Sequence, residues 1–278
     1  MWGFVKIELL KIFARKRSYI GFGAILAIIS LTFIAVWFEG SEVLNFFTQG
    51  LTKSFILQGN IVNAYMVSYL VMNFLWVHIP LLIVIVTGDL LSGEANAGTL
   101  RVVLTRPVSR RQLVTAKFHA GMIYTFLMVA FLAALSFGIG LMLFGKGDLI
   151  VLINTLNIFP KDDIVWRFGM AYVFAFLSMA TIASLSILLS AMSNNSLGPI
   201  LSTMAIILIF TLISSLGLKA FDPIKPFILT TYLNTWQKFF SFDINWSEIV
   251  KNAIVLIVHI ALFYGITLIY FKRKDILS

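Results

Sequence analysis

Six long apolar stretches constrain this chain more than any other feature of its sequence. A helix needs about 20 mostly apolar residues to cross the roughly 30 Å hydrocarbon core of a membrane. Backbone polar groups find no water inside lipid, so a chain crosses only as hydrogen-bonded helices or as a closed barrel. We predict an all-α, polytopic membrane protein with six transmembrane helices, at residues 19–38, 66–87, 118–144, 166–192, 197–218 and 251–271.

The composition excludes the main soluble classes. Hydrophobic residues make up 60% of the 278 residues and charged residues only 12%, against about 45–50% and about 25% in soluble domains. The mean hydropathy is +0.97, which argues against a soluble enzyme, a disordered tail and a fibrous protein. The chain has no cysteine, so disulfides, Cys-based zinc sites and thiol nucleophiles are excluded. Without repeats or low-complexity tracts, residues 1–278 are predicted to form a single transmembrane domain.

The basic residues are divided unequally between the two sides of the predicted bundle. The first segment, the connection after span two and the C-terminal tail hold 13 of the 21 Lys and Arg residues but only four of the 12 acids, so the whole net charge of +9 lies on their side. Basic residues concentrate on the cytoplasmic side of membrane proteins. We therefore predict that both termini are cytoplasmic, and we interpret the charge as a topology signal rather than as nucleic-acid binding.

Residues 1–17 are predicted to form an amphipathic interfacial helix. Apolar residues recur there at helical spacing, and basic residues occupy the rest of the helical wheel, which is typical of a helix lying in the membrane surface. The alternative is a cytoplasmic extension of span one whose lysines snorkel. The apolar set is Trp2, Val5, Leu9, Ile12 and Phe13, and the basic set is Lys6, Lys11, Arg15 and Lys16.

Three loops are predicted on the opposite side, at about residues 39–65, 145–165 and 219–250. The last is rich in aromatic residues, and we interpret these as an aromatic belt at the membrane surface. An outer cap that faces a substrate or a partner is the alternative. The aromatic residues are Trp236, Phe239, Phe240 and Trp246.

The predicted spans lack the groups that drive ion-coupled transport. None has an Asp or Glu in its interior, and only His78 and His259 are ionisable at mid-depth. Ion- and proton-driven carriers normally use such groups, whereas a lone His is more often packed against a neighbouring helix. Arg167 and Lys251 lie at span ends, where they can snorkel. Pro80 is expected to kink span two.

Enzyme motifs are also absent from the sequence. There is no His-Glu-x-x-His pattern, no Gly-x-Ser-x-Gly elbow, no pair of carboxylates on one helix face and no phosphate-binding loop. We therefore expect no catalytic, metal-binding or cofactor-binding residues, and no ATP hydrolysis by this chain alone.

Residues 88–117, between spans two and three, read as a cytoplasmic elbow built from short helices. Gly93 and Gly98 bracket Glu94, and Thr99 is placed to cap a short helix that Pro107 ends. We expect this short helix to be exposed and to present an apolar strip, and this pattern favours a docking role. The strip consists of Leu100, Val103 and Leu104.

A second capping signal follows the short helix. Ser109 and Gln112 have the spacing of a capping box, and Val108 and Leu113 have that of a hydrophobic staple. Together they predict that a helix begins after Ser109 and continues into span three. A well-capped loop needs no function, and this remains the alternative interpretation of the elbow.

The elbow resembles the pattern of type-2 ABC exporter permeases, in which a similar stretch follows the second of six spans. Cytoplasmic termini and an amphipathic N-terminal helix agree with that resemblance, which covers the whole chain. The matching residues are Ser92-Gly93-Glu94, Gly98-Thr99-Leu100, Arg106-Pro107-Val108-Ser109-Arg110 and Lys117-Phe118.

The resemblance implies a coupling helix that docks on a separate ABC ATPase subunit, which would bind ATP and Mg²⁺. It implies a second permease copy, identical or related, and a place in the bacterial cytoplasmic (inner) membrane. The expected function is the transmembrane permease of an ATP-driven exporter, with a channel, a secondary carrier or a non-transport scaffold as alternatives. The residues expected to couple to the ATPase are Glu94, Gly98, Thr99, Leu100, Arg101, Arg106, Pro107, Ser109 and Arg110.

Overall fold

The computed structural model describes residues 1–47, 61–100, 108–153, 155–216 and 219–275, and most of them are helical. The α-helices are α1 (Trp2–Phe13), α2 (Ser18–Phe47), α3 (Ala64–Leu75), α4 (His78–Thr87), α5 (Ser92–Asn96), α6 (Arg110–Ala133), α7 (Gly140–Phe144), α8 (Ile164–Met192), α9 (Leu197–Ser215), α10 (Thr230–Leu233) and α11 (Trp246–Arg273). A π-helical turn at Ala134–Ile139 joins α6 to α7, and 3₁₀ turns occupy Lys219–Phe221, Lys225–Phe227 and Asn234–Phe240.

Within these described residues, five helices are long and apolar enough to cross a membrane. They are Ser18–Gly40, Arg110–Phe144, Ile164–Met192, Leu197–Ser215 and Trp246–Arg273, and the bent pair α3 and α4 adds a sixth if the pair forms one span. The chain is therefore a multi-pass membrane protein built mainly from helices, as the sequence predicts.

The bend between α3 and α4 has a clear cause in the sequence. The two helix axes meet at 56°, and the break falls at Trp76 and Val77. Pro80 lies four residues after Trp76, so it cannot donate a helical hydrogen bond to the Trp76 carbonyl, and its ring crowds that carbonyl. The kink expected from Pro80 is therefore present.

Helix α8 forms the centre of the bundle. In the most apolar 18-residue stretch of α8, 78% of the residues are buried, compared with 17% in the corresponding stretches of α9 and α11. It packs against α4, α6, α9 and α11. Its buried face is rich in small residues, including Ala180, Ala183 and Ser184, which allow neighbouring helices to approach closely.

The two ends of the bundle differ in character. The basic end, as we name it, carries α1, α5, the turn at residues 193–196 and the C-terminal end of α11. The capped end carries a β-hairpin of β1 (Leu149–Ile153) and β2 (Thr155–Phe159), which pair antiparallel with Leu149 opposite Phe159. It also carries the turns and short helices of residues 219–245. The hairpin falls inside the loop predicted at residues 145–165.

The aromatic residues of the capped end are mostly not a surface belt. Trp236, Phe239 and Phe240 are at most 1% exposed and pack into the core, whereas Trp246 is 48% exposed. The belt interpretation is therefore wrong for the first three residues, which we name the aromatic cap. Residues of the 3₁₀ turn fold inward because α8 and α3 offer aromatic partners, such as Phe168 at 4.9 Å and Tyr69 at 5.1 Å from the Phe240 ring centroid.

Arg167 also differs from its expected role. It is 7% exposed rather than snorkelling, and its guanidinium donates to the carbonyls of Phe239 (2.7 Å) and Ser241 (3.0 Å). It also pairs with Asp163 at 2.8 Å. A buried guanidinium needs several acceptors, and the end of the 3₁₀ turn supplies them. Arg167 thus fastens the aromatic cap to α8.

Candidate functional site

The candidate site lies at the basic end, where α1 packs along α6. The predicted N-terminal helix is present, but its buried face is Val5, Glu8 and Ile12, each at most 5% exposed, whereas Trp2 is 61% exposed. The expected apolar face therefore describes α1 only in part. An acidic residue occupies the centre of the buried face, which the hydrophobic pattern could not indicate.

That acid belongs to a four-residue ion cluster, which we name the Glu8 cluster: Glu8, Lys11, Glu94 and Lys117. The Lys117 ammonium lies 2.7 Å from Glu8 and 2.9 Å from Glu94. Lys11 lies at the same two distances from the same acids. Lys117 is 1% exposed and the acids 5% each. Two acids and two bases cancel in charge, which makes their shared burial tolerable.

The Glu8 cluster sets the charge states of the elbow. Burial alone would raise the pKa of Glu94, but the ammonium groups of Lys117 and Lys11 outweigh it and hold that pKa below its ordinary value. Burial would lower the pKa of Lys11, and hydrogen bonds to Glu8 and Glu94 raise it above its ordinary value instead. Both groups are therefore charged at neutral pH, and each strengthens the other.

A second ion cluster, the Asp89 cluster, consists of Asp89, Arg15 and Arg17. Asp89 is 2% exposed, and it pairs with Arg15 at 2.7 Å and with Arg17. It joins the end of α4 to the turn between α1 and α2. In the sequence, Asp89 stands out only as one of the four acids on the basic side. The signal that could have found it is its position as the first carboxylate after an apolar span.

Gly93 is required by the Asp89 cluster. A Cβ atom at Gly93 would lie 2.2 Å from the Asp89 carboxylate oxygen Oδ2, so any side chain there would push the carboxylate away from its arginines. Gly98 has a different role, because its φ of +67° is a left-handed conformation that favours glycine. Glycine is therefore needed at position 93 for lack of space and at position 98 for backbone conformation.

Helix α5 is capped by another helix rather than by its own residues. The hydroxyl of Ser190, near the end of α8, accepts hydrogen bonds from the backbone N–H groups of Leu91 (3.0 Å) and Ser92 (2.9 Å). The Ser92 hydroxyl donates to the Gly88 carbonyl. Five-residue α5 has little stability alone, so these contacts and Glu94 fix its position.

The predicted coupling residues divide according to their surroundings. Glu94 faces inward and takes part in the Glu8 cluster. Thr99 donates to the Glu94 carbonyl at 3.3 Å, and Leu100 is 2% exposed. The expectation of an exposed apolar strip is therefore wrong for Leu100, which packs into the core. Arg101, Val103, Leu104, Arg106 and Pro107 lie outside the described residues.

The capping box at the start of α6 is confirmed. The Gln112 N–H donates to the Ser109 hydroxyl at 3.2 Å, and the Ser109 N–H donates to the Gln112 side chain at 3.0 Å. Leu113 belongs to the buried core and Val108 packs against that core, so both residues of the predicted staple face inward. The prediction that α6 begins after Ser109 is correct.

Arg110 closes the C-terminus of another helix. Its guanidinium donates to the carbonyls of Phe271, Lys272 and Lys274, at 3.4, 3.1 and 2.6 Å. Lys274 in turn donates to the carbonyls of Ala191 and Ser193 at the end of α8. Cations satisfy the unpaired carbonyls of helix C-termini and suit their dipoles. Arg110 therefore links the elbow to α11, and Lys274 links α11 to α8.

The described residues hold no group of three or more His, Asp or Glu side chains that could bind a metal ion. At the basic end, the described contacts attach the elbow to its neighbouring helices. The Glu8 cluster joins it to α1 and α6, Ser190 joins it to α8, and Arg110 joins it to α11.

The chain is similar to a bacterial protein and to a family of related sequences. The "Uncharacterized protein YhcI" of Bacillus subtilis (strain 168) is 23% identical to it over 204 residues. That alignment covers 69% of this chain and 63% of the relative, so less than two thirds of the relative's length is matched. The family described as "Protein of unknown function (DUF2705)" matches residues 24–277. Since this match takes in most of the sequence, the chain belongs to the DUF2705 family.

Proposed function

We propose that this chain is the transmembrane permease subunit of an ATP-driven ABC exporter and that the elbow after span two receives force from a separate ATPase subunit. The observation that carries the proposal is the fastening of the elbow. Glu94 ties α5 to α1 and α6, and Ser190 ties it to α8. A connecting loop needs none of these contacts, whereas a force-receiving element needs all of them.

The proposed topology has six spans, with α3 and α4 forming one broken span. Contacts support the placing of both chain ends at one end of the bundle, because α1 pairs with the elbow and Arg110 binds carbonyls near residue 274. That end carries the charge excess, so the positive-inside rule assigns it to the cytoplasm. We assign the protein to the bacterial cytoplasmic membrane.

The mechanism follows from the contacts of the elbow. An ATPase that pushes on the elbow would displace α5 together with the residues to which it is joined. Helix α6 would move through Lys117, and α8 through Ser190. Packed helices move as bodies rather than deforming continuously, so the displacement would reach the capped end. A second permease copy would supply the other wall of the transport path.

A secondary carrier fits the described residues less well. No acidic side chain lies in the middle of any of the candidate spans within the described ranges. The mid-depth histidines bond to backbone carbonyls: His78 bonds across the α3–α4 break to Phe74 (3.0 Å), and His259 bonds to Val255 of its own helix (2.8 Å) and to Phe227 (3.4 Å). Neither histidine bonds to an acidic side chain within the described residues, as a proton relay would need.

Affinity purification of the full chain from its native membrane tests the proposal. We expect an ABC ATPase subunit to co-purify, and we expect ATP hydrolysis by the complex but not by the chain alone. The double variant Arg101→Glu, Arg106→Glu reverses two charges of the elbow and should abolish ATPase capture. The matched control is Lys146→Glu, Lys161→Glu, which reverses two exposed charges at the capped end and should leave capture unchanged.

Two results would contradict the proposal. One is the absence of any ATPase from the purified material, which would favour a scaffold. The other is equal loss or equal retention of the ATPase in both double variants, which would remove the elbow as the docking element.

A further inference from the structure

A cavity of about 630 Å³ opens at the basic end, between the end of α8 and the last two turns of α11. It lies apart from the elbow contacts described above, although Lys274 borders both. Its lining combines apolar and basic side chains from the two helices. The main lining residues are Met192, Ile266, Ile269, Tyr270, Arg273 and Lys274.

The apolar wall of the cavity is one face of α11. Ile266, Ile269 and Tyr270 recur at the spacing that places side chains on the same side of a helix, and Arg273 continues that face by one more turn. Ile269 is 60% exposed, Ile266 42% and Met192, from α8, 51%. In a membrane protein, apolar surface of this kind faces acyl chains.

The charged end of the cavity has unused hydrogen-bond capacity. Lys274 directs two of its three N–H donors to the carbonyls of Ala191 and Ser193, at 2.9 and 3.1 Å. Arg273 makes no hydrogen bond or ion pair with any of the residues that the structure describes. Asn194 and Asp275 complete the lining. With one acid against two bases, the lining keeps a net positive charge, which suits an anion.

The position of the charges relative to the apolar wall limits which anion fits. Arg273 is the last residue of a candidate span and Lys274 follows it directly, at the level where the hydrocarbon core gives way to headgroups. The apolar residues run from there toward the middle of the membrane. A soluble phosphate would fill only the charged end, whereas an amphiphile would fill both. Basic pockets between membrane helices are known to select acidic headgroups.

We propose that this cavity binds one acidic phospholipid. Its phosphate would contact Arg273 and the remaining donor of Lys274, and one acyl chain would lie along Ile266 and Ile269. The proposal needs only the membrane location of the chain and does not depend on the exporter proposal. Because Lys274 also joins α11 to α8, the bound lipid would brace the junction that Arg110 links to the elbow.

The test uses the purified full chain in detergent micelles, with phosphatidylglycerol as the probe and phosphatidylcholine as the neutral comparison. Native mass spectrometry at increasing lipid concentration gives an apparent Kd for each lipid. We expect preferential retention of one phosphatidylglycerol. Arg273→Gln should weaken that retention about fivefold, since one basic residue near the surface contributes about 1 kcal/mol.

The matched control is Lys272→Gln. It removes the same charge one residue away, from a side chain that is exposed and does not line the cavity, so the apparent Kd for phosphatidylglycerol should stay within twofold of the parent value. A second variant, Ile269→Trp, fills the apolar part and leaves every charge in place. It should reduce retention of the lipid without changing the thermal unfolding midpoint in phosphatidylcholine.

Three results would overturn the proposal. Equal weakening by Arg273→Gln and Lys272→Gln would mean attraction to the general surface potential rather than to this cavity. Normal retention by Ile269→Trp would mean that no acyl chain lies there. Protection against thermal unfolding by glycerol 3-phosphate equal to that by phosphatidylglycerol would mean that the site takes a soluble phosphate.

Discussion

The two ends of the bundle are held together by different physical means. The basic end depends on the Glu8 and Asp89 clusters, in which seven charged side chains from α1, its following turn, α4, α5 and α6 meet. The capped end depends on the aromatic cap and on Arg167, its buried cation. Ion pairs change when their groups gain or lose a proton, whereas aromatic packing does not depend on protonation.

This difference indicates which end of the bundle can change its contacts more easily. Buried ion pairs add little net stability over apolar packing, but removing one partner is costly because the other charge is left in the interior. The basic end is therefore positioned by interactions that an approaching charged surface can rearrange. The capped end resists rearrangement because loss of its aromatic packing opens a cavity and loss of the Arg167 hydrogen bonds leaves a buried cation without acceptors. Such a division suits a protein that is driven from one end.

The largest effect is expected at the capped end. Trp236→Ala removes a side chain that is fully buried and whose ring centroid lies 5.3 Å from that of Trp76. Since truncation of a buried aromatic leaves a cavity, the free energy of unfolding should fall by about 4 kcal/mol. Thermal or detergent-induced unfolding measures this change.

The control for this variant is Phe227→Ala, at a position in the same loop that is 79% exposed. Its effect should stay within about 0.5 kcal/mol. Equal losses for the two variants would mean that the aromatic cap does not hold this end together.

A loss of about 3 kcal/mol is expected at the basic end from Lys117→Met. The variant keeps most of the apolar stem but leaves two buried carboxylates with only Lys11 between them. Adding Glu8→Gln and Glu94→Gln should recover much of the loss, because no buried carboxylate then stays charged and Lys11, the one charge left in the cluster, is 38% exposed. The same unfolding assay measures both variants.

Lys11→Met provides the comparison, because the Lys11 side chain is 38% exposed and water screens its charge. Its cost should be no more than about 1 kcal/mol. If Lys117→Met costs no more than Lys11→Met, burial is not what makes the Glu8 cluster rigid.

A smaller and reversible effect is expected from pH. The pKa of Glu94 is depressed below 4.5, so its stabilising contribution is complete above that value and is lost as the pH falls through the folded-state pKa. The pKa of Lys11 is raised above 10.5, so its contribution is complete below that value and is lost as the pH rises through the folded-state pKa. The attachment of α1 should be constant between these limits and loosen outside them.

Hydrogen exchange, corrected for its intrinsic pH dependence, measures this loosening. Amides of α1 should lose protection in acid before amides of residues 234–240. Glu94→Gln mimics the protonated acid and should show the reduced protection at neutral pH. Simultaneous loss of protection at both ends would show that acid acts on the whole bundle and not through Glu94.

The sequence predicts features that depend on one helix at a time. Apolar length indicates the membrane helices, Pro80 indicates the bend, and the spacing of Ser109 and Gln112 indicates the start of α6. Each of these rests on contacts between residues close in the chain. A periodic pattern indicates which face of a helix is apolar, but it does not indicate which element packs against that face.

Features that join distant residues could not be predicted in this way. Glu94 and Lys11 are 83 residues apart and meet only in the folded bundle, so the sequence suggests ATPase coupling for Glu94 through the resemblance and gives no sign of its ion pairs. Trp236 and Arg167 satisfy the rules for membrane-surface residues equally well, and only tertiary packing buries them. Arg110 fits a docking surface by charge, yet its acceptors are the carbonyls of a helix that begins 136 residues later.

The smallest effect compares one helix cap from each end. Ser109 caps α6 at the basic end, and Asn245 caps α11 at the capped end by accepting from the Glu248 N–H at 3.1 Å. Replacing either by Ala should lower the free energy of unfolding by about 1 kcal/mol. The two variants should differ in ATPase capture, because only Ser109 belongs to the elbow. Ser109→Ala should reduce capture modestly at equal membrane abundance, and Asn245→Ala should leave it unchanged. Equal capture by both would mean that the cap at the start of α6 takes no part in coupling, and would leave Glu94, Ser190 and Arg110 as the proposed links from the elbow to the bundle.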